Sequence, residues 1–164
     1  MQKNIKKENG ITLIALGVTI IVLLIIASIG VYGGKETIKK AQLEEMRTNM
    51  LLIQAKSKEY VEEANFKIGK STDAAKIAEI RANVYENEAK LEPASSISAP
   101  SAIPVSECYL VTSEAMKEWG LENVKLENKE YYLIKFDDTN ATVEIYNTLG
   151  YDGKYSLTEI DNIE

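Results

Sequence analysis

The stretch ITLIALGVTIIVLLIIASIGVYGG, residues 11–34, holds 24 residues without one charged side chain. As an α-helix it would reach about 36 Å, which exceeds the ~30 Å hydrocarbon core of a bilayer. Apolar residues would occupy every face of that helix, so it requires lipid or a fully buried environment. The stretch therefore predicts a membrane-spanning helix that anchors the rest of the chain.

The ten residues before this stretch, MQKNIKKENG, form a short basic leader. They carry Lys3, Lys6 and Lys7 against Glu8, which gives a net charge of +2. An ordinary secretory signal is cut after its apolar run, and the small residues within 28–34 leave such a cut open. The polar chain beyond continues with helical periodicity, however, which favours an apolar segment that stays attached.

The junction of leader and apolar run carries a recognisable motif, Lys6-Lys7-Glu8-Asn9-Gly10 followed by Ile11-Thr12-Leu13-Ile14-Ala15-Leu16. It resembles the prepilin leader of type IV pilins and of type II secretion and competence pseudopilins. The resemblance implies that a prepilin peptidase cuts after Gly10 and that the new amino end at Ile11 is methylated. It also implies a filament core built by this helix and other pilin subunits, with a membrane assembly platform and a motor.

One position departs from that family. Pilins usually carry glutamate at the fifth residue of the mature chain, and this sequence has Ala15. In relatives the carboxylate neutralises the amine of a neighbour, because a bare charge at the bilayer centre costs about 2.5–3.5 kcal/mol on insertion scales. A subunit with Ala15 can receive a neighbour's carboxylate at its own amine but cannot offer a carboxylate in return. The sequence therefore favours a minor or tip subunit, or a divergent branch that assembles without the pair.

The distribution of charge indicates how the chain is oriented in the membrane and which classes of partner it can bind. The whole chain carries −6, so residues 35–164 carry −8 once the leader is set aside. An acidic domain is a poor partner for phosphate backbones, which argues against nucleic-acid binding. The basic leader predicts a cytoplasmic amino end and an external C-terminal head. Lys35, Lys39 and Lys40 flank the other end of the apolar run and weaken that orientation signal.

The sequence predicts neither an enzyme nor a cofactor site. It has no histidine, which removes the commonest general base and metal ligand. Its single cysteine, Cys108, excludes an internal disulfide and is expected to be a small buried side chain. Nucleophile elbows, phosphate loops and paired metal-ligand spacings are all missing from the sequence.

Two predicted turns are rich in Asp and Asn, which raises the possibility of a calcium site. Asp137, Asp138, Asn140 and Asp152 could supply oxygen ligands to Ca²⁺. Some pseudopilins, which the leader resembles, bind calcium in a C-terminal loop. The favoured interpretation is that Asp and Asn occur here because they tolerate turn geometry, so no metal site is expected.

After the apolar run, residues 35–66 keep a helical spacing of apolar residues. The stripe consists of Ile38, Leu43, Met46, Met50, Ile53, Tyr60 and Ala64. No proline interrupts residues 11–66, so the sequence predicts one long helix whose second half lays this stripe on a folded head. The alternative is a membrane helix followed by an independent coiled coil, for which about three heptads are marginal.

The head, residues 67–164, should begin where Gly69 ends the long helix. Ser71, Thr72 or Asp73 would then cap a second helix over residues 74–91, with its apolar face covering the head. Three prolines exclude a helix from residues 92–107. That segment is either a flexible linker or, as we prefer, an ordered loop pinned by its apolar residues Ile97, Ile103 and Val105.

The last third predicts a short helix and an antiparallel sheet. Thr112 or Ser113 would cap a helix that ends at Trp119 and Gly120, with Trp119 in the core. Residues 130–136 and 141–146 flank a polar turn and predict a β-hairpin. Residues 155–160 predict a third short strand or a last helical turn. Five tyrosines of this region serve subunit contacts or packing: Tyr131, Tyr132, Tyr146, Tyr151 and Tyr155.

Together these patterns predict an α+β fold in which a long N-terminal helix packs on a small antiparallel sheet, as in pilins. The segments are a leader at 1–10, a filament-core helix at 11–34, its amphipathic continuation at 35–66 and the head. The expected function is that of a structural subunit of a pilus or pseudopilus, anchored in the cell membrane before assembly. The alternative is an uncleaved single-pass membrane protein with an external binding domain.

Overall fold

The computed structural model describes residues 8–124, 126 and 130–163, and leaves the side chains of 8–15, 17 and 25–36 undescribed. The chain divides into two compact units, Met1–Gln42 and Leu43–Glu164. The described part of the first unit is helical throughout. The second unit combines helices with an antiparallel sheet, so the predicted α+β class is confirmed.

The first helix, α1, runs from Glu8 to Ile68, a span of 61 residues. The prediction of uninterrupted helix through residue 66 is confirmed. Gly69 ends α1 with a φ of 58°, and its N–H donates to the carbonyl of Asn65 at 3.0 Å. The end of the helix therefore follows the local signal in the sequence.

The predicted apolar stripe packs on the sheet along the part of α1 in the second unit. Leu43, Met50, Ile53 and Ala64 are at most 6% exposed. They share one core cluster with sheet residues such as Ile134. The alternative of an independent coiled coil is therefore wrong. Met46 and Tyr60 are partly buried against the same core, whereas Ile38 is 59% exposed, so its assignment to the packed stripe was wrong.

The second helix is shorter than predicted. Helix α2 spans Ala74–Ala82 and is capped by Asp73, whose carboxylate accepts from the N–H of Ala75 at 3.0 Å. A π-helical turn follows over Asn83–Glu88. Leu91, predicted to lie on the helix, instead begins a strand and is 2% exposed.

A five-stranded antiparallel sheet forms the centre of the second unit, with its strands in chain order. The strands are β1 Leu91–Pro93, β2 Tyr109–Val111, β3 Tyr132–Asp137, β4 Thr142–Tyr151 and β5 Lys154–Ser156. The predicted hairpin is β3 and β4, with Lys135 opposite Glu144. Val143 and Ile145 face the core together, as the period-two pattern predicts.

The segment predicted as a loop, residues 92–107, is ordered, as preferred from the sequence, but its first two residues, Glu92 and Pro93, belong to β1, so the loop proper begins at Ala94. It contains two short 3₁₀ turns, Ala94–Ser96 and Val105–Glu107. Ile103 is 4% exposed and joins a second small core with Ala94, Cys108 and Leu133. Ile97 and Val105 pack against that core. The flexible-linker alternative is wrong, because these apolar side chains fix the loop to the sheet.

The two remaining helices are short. Helix α3 spans Ser113–Glu118, and Thr112 caps it by accepting from the N–H of Ala115 at 3.0 Å. Trp119, which follows α3, is 6% exposed, so its predicted core role is confirmed. The segment predicted as a strand or a helical turn contains both: β5 ends at Ser156, and α4 spans Leu157–Asp161.

Candidate functional site

The predicted processing site, Gly10-Ile11, lies near the beginning of α1, where the backbone is helical. Leu16, further along the predicted assembly segment, is 60% exposed. The other residues predicted for processing and assembly lie outside the described residues or have undescribed side chains: Lys3, Lys6, Lys7, Thr12, Leu13, Ile14 and Ala15. Cleavage after Gly10, methylation of Ile11 and the consequence of Ala15 therefore stay predictions.

The apolar run of the first unit exposes its described side chains. Seven of them are between 46% and 66% exposed: Leu16, Val18, Ile20, Ile21, Val22, Leu23 and Leu24. They point to every side of α1, because each residue turns the helix by about 100°. Thr19, in their midst, donates its hydroxyl to the carbonyl of Leu16 at 2.8 Å and so satisfies its polar group within the helix. Contiguous apolar surface of this kind is typical of a contact with protein or membrane.

No helix within the described residues is both long enough and apolar enough to cross a bilayer. The predicted membrane segment, residues 11–34, includes the undescribed side chains of 11–15, 17 and 25–34. The membrane-spanning role of the segment therefore stays a prediction.

The second unit contains an open groove of about 540 Å³, here called the α2 groove. One wall is α2, and the other is formed by side chains on and next to β2 and β3. The lining residues are Ala74, Ile77, Ala78, Arg81, Ala82, Tyr85, Glu107, Tyr109, Phe136 and Asp138. Alanines on α2, the Tyr85 ring on the π-helical turn after it, and the Tyr109 and Phe136 rings on the sheet make a surface that suits an apolar partner more than a small polar substrate.

Three rings form the aromatic side of the α2 groove. Tyr85 stacks on Phe136 with ring centroids 3.9 Å apart and an angle of 6° between the ring planes. Tyr109 meets both rings edge-on, each at a centroid distance of 5.7 Å. Such contacts stabilise a fixed ring arrangement by about 0.5–1.5 kcal/mol per pair. The groove wall is therefore pre-formed.

An ion pair contributes to the lining of the α2 groove. Arg81 Nη1 lies 3.3 Å from the carboxylate of Asp138, and the Tyr85 hydroxyl donates to the same carboxylate at 3.2 Å. Burial is the main reason that the pKa values of Tyr85 and Tyr109 are raised, and Asp138 adds to both shifts. Both hydroxyls therefore stay neutral at physiological pH. They can position a partner through hydrogen bonds, and neither is available as a phenolate nucleophile.

The considered calcium ligands do not converge. The turn that contains Asp138 and Asn140 precedes β4, whereas Asp152 follows it, and the ten residues of β4 separate them by about 33 Å. Asp137 accepts from the side chain of Asn140 at 2.8 Å, and that hydrogen bond is the first cause of its lowered pKa. Within the described residues, no three His, Cys, Asp or Glu side chains are grouped so that they could hold a metal ion.

The tyrosines near the hairpin mainly serve packing. Tyr132 is 1% exposed, and burial raises its pKa to about 12. Tyr131, Tyr146 and Tyr155 pack against the second small core, while Tyr151 packs against the main one. Tyr132 is therefore excluded from a subunit contact, whereas the other four tyrosines are partly exposed, so that a contact through them stays a prediction.

The α2 groove was missed by sequence reasoning. Tyr85, Tyr109 and Phe136 come from three elements, and no local spacing links them. The sole local signal was the position of Phe136 at the end of a predicted strand. No protein-family model, curated protein or solved structure matches this chain.

Proposed function

We propose that this chain is a structural subunit of a pilin-like filament, either a type IV pilus or a type II secretion or competence pseudopilus. In this role the basic leader is removed after Gly10 by a prepilin peptidase. The apolar run then leaves the bilayer and packs among the corresponding helices of neighbouring subunits. The C-terminal head lies outside the membrane, and the chain itself performs no chemistry.

The observation that carries this proposal is the exposure of the apolar run on every side of α1. An amphipathic helix of a soluble protein hides one stripe and shows a polar face. Here the described side chains, such as Leu23 at 65% and Leu24 at 66%, remain exposed around the whole circumference. Such a surface would be covered on all sides by lipid before assembly and by the corresponding helices of neighbouring subunits after assembly.

Two features support the same role. The motif around Gly10 resembles the prepilin cleavage site. The later part of α1 packs its apolar stripe on an antiparallel sheet, which suits a head carried on a helix. Because Ala15 replaces the usual glutamate, we place this subunit among minor or tip components.

The N-terminal mass of the protein recovered from cells tests the proposal. Co-expression with a prepilin peptidase should remove ten residues and add one methyl group at Ile11. Gly10→Leu should leave the leader attached, whereas Gly17→Ala, a glycine change outside the cleavage site, should be trimmed normally. A mature protein that keeps its leader in the presence of the peptidase would refute the proposal.

The α2 groove favours a second candidate function, a single-pass membrane protein with an external binding domain. Its aromatic wall and the Arg81–Asp138 ion pair are pre-formed, as binding grooves commonly are. This candidate requires an intact amino end and no filament, so the same mass measurement distinguishes the two functions.

A further inference from the structure

Charge is divided unevenly between the two units. Residues 1–42 hold six lysines and two glutamates, a net charge of +4, so residues 43–164 carry −10. Removal of the leader would still leave Lys35, Lys39 and Lys40 against Glu36 in the first unit. Copies of this chain therefore offer each other a basic segment and an acidic domain, which is the arrangement that favours association between opposite patches.

The acidic domain presents one helix face on which the sheet does not pack, here called the outer face of α1. Its residues are all exposed and recur at alternating spacings of three and four: Glu45, Thr48, Leu52, Ala55, Glu59, Glu62 and Phe66. They lie opposite the buried stripe that includes Met50 and Ile53, because such spacings keep residues on one side of a helix. Leu52 is 45% exposed and Phe66 is 86% exposed.

Glutamates flank the apolar centre of this face. Glu59 is held by Lys56 at 2.9 Å. Within the part of the chain that the structure describes, Glu45 and Glu62 have no ion pair. The outer face thus combines exposed Leu52 and Ala55 with two carboxylates that are open to an external cation.

The first unit contains a segment of complementary chemistry. Ile38 is 59% exposed, and the adjacent Lys39 is also exposed. An apolar side chain followed by a lysine matches the exposed Leu52 and Ala55, with Glu62 about 10 Å further along the same face. Lysine can lay its aliphatic stem on apolar surface while its ammonium group reaches a carboxylate. The Ile38 side chain can therefore bury itself on the outer face while Lys39 forms an ion pair there.

We propose that Ile38 and Lys39 of one copy dock on the outer face of α1 of a second copy, with Ile38 on Leu52 and Ala55 and Lys39 beside Glu62. This inference rests on the proposed filament role and names the α1 surface through which successive subunits contact each other. The basic segment could otherwise face anionic lipid headgroups, and the experiment separates these two partners.

Cross-linking between two differently tagged copies tests the contact. One copy carries Ile38→Cys and the other carries Leu52→Cys, both as full-length chains co-expressed in membranes with the peptidase. A short bis-maleimide should join the two tags, and either variant with an unmodified partner should give no product. Cross-linking between tags reports a contact between copies and excludes one within a chain.

Charge reversal then tests the ion pair. Glu62→Lys or Lys39→Glu should lower the cross-linked product by at least about fivefold, because like charges then face each other. The double reversal, with Lys39→Glu in one copy and Glu62→Lys in the other, should restore it. Glu79→Lys, the same change on the exposed surface of α2, should have no effect.

The outcomes distinguish this inference from the proposed function. Trimmed, methylated subunits that form filaments without the cross-link would overturn the contact and leave the filament role standing. Absence of the cross-link in the parent pair would also overturn it, and a preference for anionic over zwitterionic vesicles that is lost in Lys39→Glu would then assign the segment to lipid. An untrimmed chain that forms no filament would overturn both proposals.

Discussion

Arg47 on α1 donates from Nη2 to the main-chain oxygen of Ile160 at 3.0 Å, across 113 positions of sequence. The same nitrogen lies 3.1 Å from the carbonyl of Asp161 and 3.2 Å from that of Ile163. These carbonyls lie at and just beyond the C-terminal end of α4, where carbonyls favour a cation, and that of Ile160 also accepts from the N–H of Ile163 at 3.1 Å. Arg47 therefore fixes the end of the chain to the first helix.

Replacement of Arg47 by methionine should destabilise the second unit by about 1.5–3 kcal/mol, the usual range for hydrogen bonds to a charged group. The loss arises because three carbonyls at and just beyond the end of α4 lose the guanidinium group as a donor. Urea unfolding of the full-length protein in detergent, followed by Trp119 fluorescence, measures the change. Lys58→Met, an exposed cation on the same helix, should change stability by less than about 0.5 kcal/mol. Equal effects of the two variants would contradict this role of Arg47.

The relationship also shows where sequence reasoning ends. The buried stripe of α1, the cap at Asp73 and the β3–β4 hairpin were predicted because each depends on residues close together in the chain. No periodicity connects Arg47 with α4. That contact exists because the sheet brings the end of the chain back to α1.

The errors at α2 and β1 have the same origin. Leu91 fitted the helical spacing of its neighbours, yet it pairs with Val111 in the sheet. The π-helical turn over Asn83–Glu88 changes the direction in which the following side chains point, so the α-helical spacing no longer applies. The proline within β1 led to the prediction of a loop where the structure has a strand. Proline is tolerated there because β1 is an edge strand, where one side of the backbone needs no ladder partner. For the candidate processing site the sequence motif remains the sole source of information.

Gly150 and Gly153 provide a matched pair for testing the turn between β4 and β5. Both have positive φ, 63° and 76°. A Cβ at Gly150 would overlap the main-chain oxygen of Lys154 and the ring of Tyr155, whereas a Cβ at Gly153 would meet nothing within 4 Å. Gly153→Ala should therefore cost about 1–2 kcal/mol from backbone strain alone, and Gly150→Ala should cost about 1–3 kcal/mol more. Thermal unfolding of both variants provides the comparison, and a smaller loss in Gly150→Ala would contradict it.

The hydrogen bonds of Glu159 should make the stability of the second unit decrease at acidic pH. Its carboxylate accepts from the N–H groups of Ser156 and Tyr155, each at 3.1 Å, and these bonds lower its pKa below the ordinary 4.5. A lowered pKa in the folded state contributes stability that is present above pH 4.5 and lost as the pH falls through the folded pKa. Glu159→Gln keeps an acceptor but cannot titrate, so it should be less stable than the parent at pH 7 and approach the parent toward pH 3. Unfolding midpoints across that range test this, with Glu122→Gln in an exposed loop as the control. A constant difference between parent and Glu159→Gln would contradict the assignment.

Cys108 should be chemically silent in the folded protein. It is 4% exposed, and burial raises its pKa to about 11, so about one thiol in a thousand is ionised at pH 8. Iodoacetamide should therefore leave native protein unmodified over an hour and label one thiol per chain in guanidinium chloride. Mass spectrometry before and after unfolding measures both states. Because reactivity needs an exposed thiolate, rapid labelling of the native protein would mean that the second small core opens, and it would remove the basis for cross-linking introduced cysteines without replacing Cys108.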